Sequence, residues 1–408
     1  MRPTILRSVG AASIGAAWAC AAALILPSAF HAMARAAEPD AGSTLTLPLV
    51  SLGGPPSMRG IAAAHVEGLP SRTVKPFALL GITWDDAFAQ LDGTVEVRTR
   101  SIATHRWSGW QQLESDSDDV PDPNSVERQG DHVRGSTPPL WVGDSDGVQV
   151  RIAPTAATRR AGTPQLPRGL RLDLVDPGSA ADPAGAGEPL VLPAQAAPRN
   201  RAAAAARAGL RPRIITRVGW GANRRLRSGG FLYNPTVKAV FVHHTATGNH
   251  YSCSEAPRII RAIYRYHVRS LHWRDIGYNF LVDKCGRIYE GRAGGVSRSV
   301  MGAHTFGFNR NTVGIAVIGS YNRTRPSSAA IHALARLTAW KLGRYGHRAD
   351  GNVWLVSGGG NKYRAGRRVR FARISGHRDG NITTCPGARL YAKLPEVRRE
   401  AARLQGYR

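Results

Sequence analysis

The chain has 408 residues, a formal net charge of +27 and 42% hydrophobic residues, long enough for two ordinary domains plus tails. Its charge is uneven: residues 201–408 hold 38 Lys/Arg against 8 Asp/Glu (+30), and residues 1–200 hold 17 against 20 (−3). Two modules with different surfaces are expected. The basic half suits a polyanion, either nucleic acid or another acidic polymer. A general arginine bias is the plainer source of the charge. With neither aromatic interleaving nor a nucleic-acid motif present, no specific nucleic-acid partner is expected.

Arg2 and Arg7 precede an apolar run from Gly10 to Leu26, too short and too rich in small residues for a comfortable membrane span. Ala34-Arg35-Ala36 follows as an A-x-A cleavage site, so residues 1–36 read as a signal peptide. No later stretch reaches transmembrane length, and a secreted, extracellular or wall-associated protein is expected. Residues 37–75 read as a leader, whose one alternating run, Thr44 to Leu52, fits either a first strand or an unsettled leader.

Residues 76–176 carry β signals at short spacing, including Phe77 to Trp84, Thr94 to Arg100, Trp107 to Leu113, Leu140 to Ile152 and Leu170 to Val175. Asp146-Gly147 has the chemistry of a hairpin turn between two runs. An all-β, sandwich-like accessory domain is expected. The loop Glu114 to Asp122 lacks the glycine and terminal glutamate of a calcium loop and reads as a solvated acidic loop. Residues 177–213, dominated by Gly, Pro and Ala and studded with arginine, read as a linker.

From 214 to 408 strands alternate with helices, which gives an α/β module with a mixed central sheet flanked by helices. Val237 to Val242 is a buried-strand run ending in His243-His244, and Glu255 to Ser270 carries a helical stripe. Thr312 to Ile318 is a second buried strand, Ser327 caps a helix, and Val353 to Arg373 reads as a hairpin with six basic residues. Pro395 opens a last helix.

With the signal removed, three cysteines remain: Cys253, Cys285 and Cys385. In an oxidising compartment Cys253 and Cys285 make a plausible single bridge, and Cys385 is then the odd thiol, protected by a metal or by burial. Cys385 lies in Ile374 to Gly387, a stretch that also holds His377 and Asp379. Two ligands eight residues apart match no standard structural zinc spacing, and a polar loop is the simpler reading of that stretch alone. His243, held at the end of a buried strand, would complete a set of three and leave one position open, as in a catalytic zinc site. His244 faces the other side of the strand and should not ligate the same ion.

Seven ordered motifs then carry a resemblance: V-G-W-G-A (218–222), V-F-V-H-H-T-A (240–246), D-I-G-Y-N-F-L-V (275–282), Y-E-G-R (289–292), G-A-H-T-F-G-F-N (302–309), T-V-G-I-A-V-I-G (312–319) and G-H-R-D…T-T-C-P-G (376–387). Residues from about Arg217 to Leu394 resemble the peptidoglycan recognition protein / type 2 amidase family. That family comprises zinc N-acetylmuramoyl-L-alanine amidases, the phage T7 lysozyme type among them, and the order of modules looks like its actinobacterial members. The resemblance implies a zinc amidase fold, zinc as cofactor, bacterial peptidoglycan as partner, and cleavage of the amide between N-acetylmuramic acid and L-alanine. Anionic wall polymers are the partners implied for the basic surface. It places the zinc ligands on His243, His377 and Cys385, the catalytic tyrosine on Tyr278, and a second catalytic group on Thr383. Substrate contacts fall on His304, Arg292 and Asn309. Family members without the cysteine ligand bind but do not cut, and this chain keeps it; the alternative is a non-catalytic recognition protein. Residues 292–301 lack the G-W pair of receptors that select diaminopimelic acid, and Lys362 to Arg373 exceeds the minimal fold, so stem-peptide preference stays open. Glu290 stands alone, which speaks against a paired-carboxylate glycosidase.

Overall fold

The computed structural model describes residues 42–52, 66–115, 119–129, 133–154, 166–179, 191–192 and 209–407. The expected signal segment and most of the expected linker lie outside these residues.

The N-terminal domain is built from β1 (Ser43–Pro48), β2 (Val50–Ser51), β3 (Glu67–Trp84), β4 (Gly93–Ser101), β5 (Gln111–Leu113), the short helix α1 (Val126–Gln129), β6 (Gly135–Ser136), β7 (Leu140–Pro154) and β8 (Arg171–Asp176). Every pairing is antiparallel, in the order β1-β8-β3-β7-β4-β5, with β2 and β6 also joined to β3. Alternation along β4 buries Val95, Val97 and Thr99 and turns Glu96 and Arg98 outward, as the period of a pleated strand requires.

Three expectations are corrected here. The domain starts before residue 76, because β1 pairs along the whole of β8 and β3 begins at Glu67. Asp146-Gly147 is not a turn but lies within β7, opposite Arg100. Asp146 pairs with that arginine at 2.8 Å, and a Cβ at Gly147 would fall 2.8 Å from Arg100 Cβ, so the glycine serves a close cross-strand approach. Among the described residues of the acidic loop, Glu114, Asp119, Val120 and Asp122 are not left to solvent but contact the C-terminal domain.

The C-terminal domain centres on a seven-stranded mixed sheet. Its elements are β9 (Val191–Leu192), β10 (Ile214–Ile215), β11 (Ala239–His244), α2 (Ala256–Arg265) running into a π-helical turn (Tyr266–Ser270), β12 (Phe280–Val282), β13 (Ile288–Glu290), β14 (Thr312–Val317), α3 (Ser328–Gly343), the hairpin β15 (Asn352–Val356) and β16 (Arg368–Ala372), β17 (Ile374–Gly376), and α4 (His377–Gly380), α5 (Ala388–Tyr391) and α6 (Leu394–Leu404). The sheet order is β17-β11-β14-β12-β13-β10-β9. β11 pairs in parallel with both β14 and β17, and all its residues are buried, which explains its unbroken apolar run. Ser327 accepts the Ala330 amide and starts α3, whose Ile331, Leu334 and Leu337 pack on the sheet with Val242 and Val317. Cys253 and Cys285 form a disulfide across a separation of 32 residues.

The described residues of both domains belong to one compact unit. Ala78, Leu79, Trp141 and Val175 of the N-terminal domain share a core with Ile259, Ile263 and Tyr266 around α2. Tyr266 donates its hydroxyl to Thr137 O at 3.2 Å. Beneath it, α1 delivers Glu127 to Arg292, at 2.6 and 2.8 Å, with side chains 2% and 5% exposed.

Candidate metal centre

The end of β11 and the turn after β17 lie side by side because those strands pair in register, Val242 opposite Gly376. One strand therefore presents His243, and the chain leaving the other presents His377 at the first position of α4. The turn that follows brings back Cys385, whose Sγ lies 3.8 Å from His243 Nδ1. Ligand atoms of His243, His377 and Cys385 all lie within 4.8 Å of one another, and all three residues are buried. The other such cluster among the described residues, Cys253, Asp283 and Cys285, has its sulfurs tied up in the disulfide.

Two neighbours set the chemistry of the cluster. His304 Nδ1 lies 3.2 Å from His243 Nε2, which leaves His243 Nδ1 turned towards the cysteine. His304 is fully buried, and burial, reinforced by the nearby His243, pushes its pKa well below the usual range, so it is a neutral partner. It fits because position 314 on β14 is glycine; a Cβ there would fall 2.3 Å from His304 Cγ. The Nδ1 of His377 is buried without a hydrogen bond. Two imidazoles, one thiol and an orphaned buried nitrogen fit a zinc ion.

Tyr278 stands beside the set, its ring 5.5 Å from that of His243. Burial first, then the negative neighbours Asp119 and Cys385, push its phenol well above the usual range and keep it protonated. Thr383 Oγ1 accepts the Cys385 amide at 3.1 Å and shapes the turn. Asp379 accepts from Gly376 N and Tyr391 Oη, at 2.9 and 2.6 Å. It holds the loop rather than an imidazole. His244 faces the opposite way, as the strand period demands, and accepts the Tyr321 amide at 3.2 Å.

Arg292 and Asn309, assigned to substrate from the resemblance, are engaged by the N-terminal domain. Arg292 is paired with Glu127, and Asn309 Nδ2 donates to Val120 O and Asp122 Oδ1 at 2.9 and 2.7 Å. His304 lies behind His243 rather than on an open surface.

The sequence reading missed Asp119 and Glu114. Asp119 Oδ1 lies 3.0 Å from His243 Nδ1 and 3.4 Å from His377 Nδ1, and Tyr278 Oη donates to its Oδ2 at 2.7 Å. Burial pushes the Asp119 carboxyl up, but the charges of the two histidines and the Tyr278 hydroxyl outweigh that and hold it well below the carboxylate range. Glu114 reaches His244 Nε2 at 3.2 Å, and Asn322 Nδ2 donates to it at 2.8 Å. The available signal was seven acidic residues against one arginine between 114 and 131, facing a domain of opposite charge.

Residues 233–388 match the N-acetylmuramoyl-L-alanine amidase family model, and residues 34–168 match a second, Rv3811 N-terminal galactose-binding domain-like. The chain is 34% identical over 182 residues to peptidoglycan-recognition protein SC2 of Drosophila melanogaster, covering 44% of this chain and 84% of the relative. The chain belongs to the peptidoglycan recognition protein family. A peptidoglycan recognition protein of Trichoplusia ni is 32% identical over 164 residues, covering 40% of this chain and 76% of that one. Among solved structures, peptidoglycan recognition protein LE in complex with tracheal cytotoxin is 31% identical, covering 45% of this chain and 92% of that chain at a TM-score of 0.36. All of these likenesses fall short of half of this chain. The peptidoglycan recognition protein resemblance found in residues 217–394 and the amidase model's match at 233–388 fall on the same domain.

Proposed function

We propose that this protein is an exported, zinc-dependent N-acetylmuramoyl-L-alanine amidase that hydrolyses the lactyl amide of peptidoglycan. The observation that carries the reading is the buried His243, His377 and Cys385 set with Tyr278 beside it. Those three residues would hold the ion, which when bound supplies an activated water and polarises the scissile carbonyl. The chain's own groups do the rest. His304, 3.2 Å from His243 Nε2, holds that ring with Nδ1 facing the site. Tyr278, kept protonated, can donate to the oxyanion as charge develops on it. Thr383 positions the cysteine turn. Peptidoglycan as partner is supported by the relatives named above, and export by the disulfide. The basic C-terminal half would favour anionic wall polymers.

The test is muropeptide analysis of purified cell walls treated with the zinc-loaded protein. Because Asp119 lies against the ligand nitrogens, Asp119→Asn is assayed beside the parent. At least one of the two should release stem peptides, and chelation or Cys385→Ala should abolish the release. If neither zinc-loaded form releases stem peptide while both still bind the wall, the protein is a recognition module and the amidase reading fails.

A further inference from the structure

The described residues hold a carboxylate that the proposed chemistry does not use and that no expected role explains. Asp119 comes from the N-terminal domain, 124 positions before the first ligand, yet its Oδ1 is sealed from solvent between two imidazoles. An ordinary ion pair would give this oxygen hydrogen bonds. It makes none, although His243 Nδ1 and His377 Nδ1 lie 3.0 and 3.4 Å away. These separations have another meaning. Zinc–nitrogen and zinc–oxygen distances of about 2.0–2.2 Å at tetrahedral angles put ligand atoms roughly 3.3 Å apart, and a zinc–thiolate bond stretches the nitrogen–sulfur edge to about 3.6 Å. The observed edges are 3.0 and 3.4 Å to oxygen and 3.8 Å from His243 Nδ1 to sulfur. These three edges lie close to those of ligands sharing one ion, and the Asp119 oxygen at two of them accepts no hydrogen bond.

The approach is anchored on both sides. Glu114 is held by His244 and Asn322, and Asp122 accepts from Gly307 N and Asn309 Nδ2 at 2.9 and 2.7 Å. Asp119 also accepts the hydroxyl of Tyr278, the group assigned to the oxyanion.

We propose that Asp119 is the fourth ligand of the metal site, supplied by the N-terminal domain, and that it closes the open position and makes the chain a latent hydrolase. This rests on the reading of His243, His377 and Cys385 as a metal site. A three-protein-ligand site with a water is reactive, and one with four protein ligands is closed. Opening it requires Asp119 to withdraw and a water to take its place, which also frees Tyr278.

The full chain, loaded with cobalt(II) or zinc, provides the test. In the cobalt protein the visible spectrum of the parent should be unchanged between pH 6 and 9 and unmoved by added phosphate, because no exchangeable water is bound. In Asp119→Ala it should respond to both. Outer-shell partners alone are worth about 10–100-fold in metal affinity, so loss of a direct ligand should speed zinc release to a chelator at least about tenfold. Asp119→Asn, which keeps the side-chain shape, should also release zinc faster and gain wall-cleaving activity over the parent. The proposal is overturned if the parent spectrum responds to pH and phosphate as Asp119→Ala does, or if zinc leaves parent and variants at one rate. Altered metal readouts without wall cleavage in any form would uphold the ligand and sink the amidase reading. Cleavage with unaltered metal readouts would do the reverse. The parent spectrum needs no variant, so a misfolded substitution leaves the test intact.

Discussion

Glu127→Ala should show how firmly the two domains are joined. Arg292 and Glu127 are almost wholly buried, with 5% and 2% side-chain exposure. Burial alone would discourage the guanidinium charge, but the Glu127 carboxylate outweighs it, and the Arg292 pKa is raised. Removing the carboxylate leaves a buried cation hydrogen-bonded only to carbonyls, of Ile276 at 2.9 Å, Met301 at 3.3 Å and Asp275 at 3.4 Å, with the Asp275 charge, already paired with Arg217, nearby. Breaking such a pair from one side costs about 3–5 kcal/mol. Glu127 also accepts the Arg274 amide at 3.0 Å, and leaving that group unmet adds about 1–3 kcal/mol. Urea unfolding followed by tryptophan fluorescence would measure the loss. Glu127→Gln, which keeps an acceptor for the Arg274 amide, should cost less. The double variant Glu127→Gln/Arg292→Met should recover most of the stability, since replacing a whole buried pair is often nearly neutral. If Glu127→Ala lies within about 1 kcal/mol of the parent, α1 does not dock on the C-terminal domain in solution and the reasoning fails.

Gly314→Ala should force the buried His304 ring to shift, because the new Cβ would fall 2.3 Å from His304 Cγ. A loss of about 1–3 kcal/mol in unfolding free energy is expected, and a competition titration should show weaker zinc binding as His243 loses its partner. Lys341 is buried, with Nζ donating to Val296 O and Arg298 O at 2.7 and 2.8 Å, and burial, with Arg344 nearby, lowers its pKa to about 7. The unfolded chain then binds more protons between pH 7 and the ordinary value of 10.5, so this residue's contribution to stability rises with pH across that window, by at most about 1.4 kcal/mol per unit. Urea midpoints at pH 7 and 9 should differ less in Lys341→Met than in the parent.

The C-terminal domain was largely legible because its signals are local. An unbroken apolar run marks a strand covered on both faces, and β11 is that strand. Ser327 as a helix cap depends on one side-chain oxygen and the amide three residues on. Legibility failed where a residue's meaning depends on a distant partner. Asp146-Gly147 has turn chemistry, yet Arg100 on the neighbouring strand claims both residues. Glu114, Asp119 and Asp122 look like solvated charge because nothing near them in the chain could satisfy a buried carboxylate. Their partners lie more than 120 positions away.

The two adjacent histidines show how a local rule and a distant contact combine. A strand sends neighbouring side chains to opposite faces, so His243 and His244 cannot serve one ion. That separation leaves His244 available to the N-terminal domain. His243 Nδ1 meets Asp119 and His244 Nε2 meets Glu114, so the acidic segment straddles the end of β11 and is gripped on both sides of it. Two carboxylates five positions apart thus engage both faces of a single strand. Substituting His244 should therefore loosen the hold on Asp119 without removing any side-chain atom of His243, His377 or Cys385. The strand that carries His243 also carries the anchor for the residues that cover it.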